Sequence, residues 1–85
     1  MEVINHYTKK EEEFRAMTLD EILNLKYGER IWLITNKGQA AQVKVNGKVK
    51  RWKRNPERFL VPVKYGLFEC ESFGNSDSHR FLVKV

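Results

Sequence analysis

Cysteine occurs once in the chain, at Cys70, and no Asn-x-Ser/Thr sequon is present. An internal disulfide and N-linked glycosylation are thereby excluded, which favours a reducing compartment over a secreted one. No apolar run nears the roughly 20 residues that a membrane-spanning helix needs, and Met1 to Tyr7 lacks the basic region and apolar core of a signal peptide. A cytoplasmic location is the expectation. His6 and His79 stand far apart, and no Cys/His spacing suits a metal, so neither a metal nor any other cofactor is expected. Cys70, flanked by Glu69 and Glu71, lacks the electropositive surroundings of a reactive thiolate and reads as a small buried or edge residue. Ser72, Ser76 and Ser78 with His79 follow no catalytic pattern, and Gly28, Gly66 and Gly74 mark turns without phosphate-loop spacing. The chain is not expected to be an enzyme.

What is present suffices for one small domain. At 85 residues the chain sits near the lower end of independent folding, where about 60% of the unfolded surface is buried. Its hydrophobic content of 41% and aromatic content of 12% are too high for a disordered tail, despite 32% charged residues. Thr18 and Glu21 form a capping-box pattern, and Met17 and Ile22 stand at the spacing of a hydrophobic staple. Leu19, Ile22 and Leu23 share a face and Gly28 suits a left-handed stop, so the spacing predicts a helix over 19–26. Thr8 to Glu11 repeats the capping pattern without apolar periodicity. Residues 1–16 are therefore expected as a mobile arm or a solvated turn of helix, outside a domain spanning 17–85.

From Arg30 the period becomes that of strands. Ile31 to Thr35 is β-branched and aromatic, Asn36-Lys37-Gly38 is a turn, and Gln39 to Val45 sets Ala41, Val43 and Val45 on one side. Asn46-Gly47 is the strongest hairpin signal in the chain. A two-residue turn there pairs Val45 with Lys48. A three-residue loop with a glycine bulge pairs Val45 with Val49 and places Lys44, Lys50 and Trp52 on the opposite face, and we prefer this register because it keeps both valines inside. Gly47 then requires a positive φ. Lys53 to Glu57, with Asn55-Pro56, reads as a loop, and Arg58 to Val63 as a strand in which Pro62 marks an edge or a bulge. Leu67 to Glu71 is a strand, Ser72 to Ser78 a polar loop, and His79 to Val85 a last strand. The expected fold class is mainly β: a small, partly open barrel of five or six antiparallel strands with a short N-terminal helix. Its single core is expected to contain Ile22, Trp32, Ile34, Val43, Phe59, Phe68 and Phe81.

Charge is segregated along the chain. Residues 37–64 hold nine Lys/Arg against one acid, Glu57, and so carry +8 of a net +5. Such segregation attracts polyanions, and Trp52, among the cations, offers a stacking surface for a base. The expected contact set is Lys44, Lys48, Lys50, Arg51, Trp52, Lys53, Arg54 and Arg58, and the expected partner is nucleic acid, RNA or DNA. An acidic protein partner and a merely solvated face are the competing readings of the same residues.

Two stretches carry resemblances. Tyr27-Gly28-Glu29-Arg30-Ile31-Trp32-Leu33, followed by a turn and two strands, resembles the opening of SH3-like barrels of the KOW type, which implies an RNA-binding module. Val45 to Pro56 and Val61 to Leu67 resemble small phage and prophage proteins sharing an Asn-Gly…Lys-x-Trp-Lys-Arg…Val-Pro-Val-Lys-Tyr-Gly-Leu pattern. This second resemblance implies a phage-like origin and no particular activity. It frames the alternative function: a phage effector in the host cytoplasm that binds and inhibits an acidic, nucleic-acid-handling site on a host protein.

Overall fold

The computed structural model describes residues 1–51, 53–54, 57–75 and 80–85, with the backbone alone at Phe73 and Asn75. Among them the chain runs β1 (Glu2–Asn5), β2 (Glu11–Ala16), α1 (Leu19–Leu23), β3 (Arg30–Ile34), β4 (Gln39–Val45), β5 (Lys50–Arg51), β6 (Arg58–Tyr65), β7 (Phe68–Asn75) and β8 (Phe81–Lys84). Strands β1, β2, β8, β3 and β4 pair in that order, and β1 returns to pair with β4, which closes a small five-stranded barrel. The pairings are antiparallel except β1 with β4, where Ile4 and Asn5 run parallel to Gln39 and Ala40. Strand β6 continues the sheet beyond β4, with β5 on one of its edges and β7 on the other. The expected class, a mainly β small barrel with one short helix, is the observed one. No helix among the described residues is long and apolar enough to cross a membrane.

The barrel is closed by residues that sequence patterning left outside the domain. Val3 and Asn5 are buried on alternate positions of β1, and Phe14 of β2 is fully enclosed. The helical alternative for residues 1–16 gives way to a hairpin because of turn chemistry. Asn5 Oδ1 accepts from the N–H groups of Tyr7 (2.8 Å) and Thr8 (3.3 Å), and Lys9 takes a positive φ of 61°. Thr8 thus serves a turn, its Oγ1 donating to Glu12.

The helix begins as its chemistry dictates. Thr18 Oγ1 accepts from Glu21 N at 3.2 Å and Glu21 Oε1 accepts from Thr18 N at 3.0 Å, so both bonds of the capping box form. It ends at Leu23 rather than 26, with Asn24 as C-cap, and Gly28 takes its positive φ of 90° in the following turn. Arg15 of β2 donates to both Glu21 oxygens, at 2.7 and 2.9 Å, which ties the hairpin to the helix. That bidentate pair, followed by the Thr18 N–H, lowers the Glu21 pKa from 4.5 to about 2. A depressed carboxylate stabilises the fold above its unfolded value, and the contribution disappears as pH falls from about 4.5 to about 2. The pair is exposed and screened by salt. We expect a carbon-detected NMR titration to place Glu21 near 2, and Arg15→Gln to return it toward the ordinary carboxylate range. A midpoint near 4.5 in the unsubstituted protein contradicts the assignment.

Two apolar clusters replace the single expected core. Inside the barrel lie Val3, Phe14, Ala40 and Leu82, with Trp32 and Ile34 packed against them. The other sheet face holds Ile31, Leu33, Val43, Val45, Phe59, Val61, Val63 and Phe81 under Ile22 and Leu25. Alternation along β3 explains the division, since Ile31 and Leu33 point one way and Trp32 and Ile34 the other. Of the expected core residues, Phe68 is the exception: it stands exposed beside the β6–β7 turn.

The Asn46-Gly47 hairpin does not form. Lys44 and Val45 pair with Lys64 and Val63, and Lys50 and Arg51 pair with Leu60 and Phe59, so β4 and β5 lie in line along the same edge of β6. Residues 46–49 are a bulge between them, spanning only positions 61 and 62 of the partner. Pro62 explains where the ladder breaks. Asn46 N donates to Pro62 O at 2.8 Å, and proline has no N–H to return. Gly47 is not among the positive-φ glycines, which corrects the turn assigned to it. A Cβ there would lie 3.2 Å from Pro62 Cγ, so its place is a close approach to the proline ring. The expected polar loop from Ser72 is also corrected, since Ser72 to Asn75 extend β7 opposite Val61 to Arg58 and Ser72 is buried.

Candidate functional site

A fork in the sheet creates the site. Along one edge of β4, β1 pairs with Gln39 and Ala40 while β6 pairs with Lys44 and Val45, and the chain diverges between them. Gln42 sits at the fork, and Tyr7 from the β1–β2 turn meets its backbone there. The Tyr7 hydroxyl donates to Gln42 O and accepts from Gln42 N, both at 3.1 Å. Its ring also meets the Trp32 ring edgewise at 6.2 Å, on the barrel core. Burial pushes the Tyr7 phenol above its usual pKa, opposed by the Gln42 bond and reinforced by the neighbouring Tyr65 hydroxyl. Tyr7 therefore stays protonated and able to donate at neutral pH.

The fork opens into a cleft of about 660 Å³ lined by Tyr7, Arg30, Gln42, Val43, Lys44, Lys64, Tyr65 and Gly66. Register brings its cations together. Arg30 of β3 stands opposite Lys44 of β4, which stands opposite Lys64 of β6. Like charges directly across a ladder repel one another. Among the described residues no carboxylate lies within ion-pair distance of any of the three. Glu69 of β7 stands opposite Lys64 in the β6–β7 ladder and lines a neighbouring cleft instead. Lys44 Nζ lies 5.8 Å from the centroid of the exposed Tyr27 ring, at cation–π range. Gly28 N and Glu29 O bond to Val45, and this extension of the ladder sets Tyr27 beside Lys44.

The structure divides the cations that sequence grouped. Lys44 belongs to the fork cleft. Lys48 and Lys50 line a second cleft with Glu69, Glu71 and Cys70, where two carboxylates balance two ammonium groups. Lys44 and Lys50 do share a sheet face, as expected, although the pairing that puts them there is with β6. Arg51, Lys53, Arg54 and Arg58 are exposed along β5, the following bend and the start of β6. Trp52, Asn55 and Pro56 lie outside the described residues, as do Ser76, Ser78 and His79. Cys70 is exposed on β7.

Sequence reasoning missed Arg30, Lys64 and the three tyrosines as site residues. Lys64 was visible within the cation-rich segment, whereas Arg30 is isolated in sequence and only the β3–β4 register reveals it. No group of three His, Cys, Asp or Glu among the described residues is placed to hold a metal ion. The arrangement can hold an anion and present aromatic rings beside it.

Fold and site together define a small mixed β-barrel domain with a fork cleft lined by three cations and two tyrosines. Comparison of the chain with protein-family models, curated proteins and solved structures finds no match.

Proposed function

We propose that the protein binds nucleic acid, with phosphates held at Arg30, Lys44 and Lys64 and bases against the neighbouring tyrosines. The observation that carries this reading is the row of three cations across β3, β4 and β6, lining one cleft with no carboxylate in it. Repulsion along such a row is relieved when a polyanion binds. The second cleft is electrically balanced and supports the reading less. Remaining cations of the expected set, from Lys48 to Arg58, would extend the phosphate track along β5 and β6. An SH3-like assignment of the barrel and a phage-like origin rest on the sequence resemblances alone, and the host-protein reading uses the same cations on an acidic surface.

Fluorescence anisotropy of labelled oligonucleotides across a salt series tests the proposal. We expect binding at about 50 mM salt, with log K falling against log salt at a slope of about −2 or steeper, as three or more phosphate contacts require. Absence of binding at low salt rejects it.

A further inference from the structure

The exposed tip of the β6–β7 hairpin names the class of nucleic acid. We infer that the site takes single strands, with Leu67 and Phe68 inserted among unstacked bases whose phosphates lie in the fork cleft. The inference rests on the nucleic-acid reading and adds to it a discrimination between single strand and duplex.

Tyr65 pairs with Phe68, leaving Gly66-Leu67 as a two-residue turn in which Gly66 takes a positive φ of 60°. Glycine at the first central position makes a tight hairpin tip. Turn geometry asks nothing apolar of the second position, yet it is occupied by Leu67, 93% exposed, beside Phe68 at 77%. Two large apolar side chains held in water on a short tip form a wedge rather than a core. The wedge adjoins the cationic cleft along the chain: Lys64, Tyr65 and Gly66 line the cleft, and Leu67 and Phe68 follow them directly at the hairpin tip. On the far side of Lys44 stands the Tyr27 ring.

Cations and exposed apolar faces alternating over a short span match a strand that presents phosphates and free base faces at every step. A duplex keeps those faces stacked inside and shows only their edges in the grooves. An acidic polypeptide supplies the charge without the faces. Charge complementarity and apolar exposure together therefore favour single strands.

Anisotropy titrations of the full chain separate the cases. The probes are a single-stranded oligonucleotide, its duplex, an abasic single strand of the same length, and polyglutamate. We expect the single strand to bind about tenfold or more tightly than the other three, from stacking of one or more bases. Phe68→Ala should erase most of that preference without changing the salt slope, Leu67→Ala should reduce it, and Phe68→Tyr should preserve it. Both side chains are exposed, so an unchanged urea midpoint is expected for each variant. If Phe68→Ala and Leu67→Ala bind the single strand as the unsubstituted protein does, while Lys64→Ala weakens it, the wedge is refuted and the nucleic-acid reading stands. Equal or tighter binding of the duplex also overturns the single-strand assignment. Equal binding of polyglutamate overturns it in favour of an acidic partner. No binding of any oligonucleotide at low salt sinks both readings.

Discussion

Gly74→Ala is expected to destabilise the domain by about 3 kcal/mol, at the upper end of overpacking costs. Gly74 lies in β7 directly opposite Phe59, and a Cβ at this position would sit 2.6 Å from Phe81 Cε2 and 2.8 Å from Phe59 Cε2. Both rings are fully buried and pack on each other with centroids 5.6 Å apart. They cannot swing away without opening the core. An 85-residue domain has a total stability of roughly 4–13 kcal/mol, so alanine removes a large share of it and valine should prevent folding. Urea unfolding measures the effect. The cost should shrink in a Phe81→Leu background, because the nearer obstructing atom is removed, and this non-additivity identifies the cause. A Gly74→Ala midpoint equal to that of the unsubstituted protein contradicts the packing described.

The triple replacement of Arg30, Lys44 and Lys64 by alanine should weaken oligonucleotide binding at least about a hundredfold at low salt. That figure takes roughly 1 kcal/mol for each charge-assisted contact. The salt slope should flatten by about 2, at roughly 0.7 per phosphate contact on a single strand. Stability should change little, since the substitution relieves a row of like charges but also removes Lys64 from its place opposite Glu69. Replacing Lys48 and Lys50 is the comparison that decides between clefts. These two stand with Glu69 and Glu71, and their loss should cost much less affinity. If the Lys48/Lys50 variant loses as much binding as the triple variant, contact is spread along the whole cation-rich segment. If the triple variant binds normally, the fork cleft is not the phosphate site.

Local chemistry was enough for several elements. Thr18 and Glu21 satisfy each other's backbone groups within four residues, so the helix start was legible without knowing its neighbours. The period-2 runs of β3, β4 and β8 were equally legible, and Pro62 announced a bulge in the pairing of its strand because a missing N–H is a property of the residue itself.

Pairing partners were another matter. Asn46-Gly47 reads as a turn in isolation, but Val43 and Val45 pack in one cluster with Val61 and Val63 of β6, which Val49 also joins. The local preference yielded to this distant contact. The same competition drew residues 2–5 and 11–16 into the barrel, where Val3 and Phe14 fill an interior that Trp32, Ala40 and Leu82 leave open. Length and the order of residues, through period-2 apolar runs and the clustering of cations over 37–64, determined that this chain would be a small β domain with a strongly cationic segment. Only the tertiary structure decided which cations share a cleft, because Arg30, Lys44 and Lys64 meet through strand register, and register is set by the burial of apolar residues far apart in sequence.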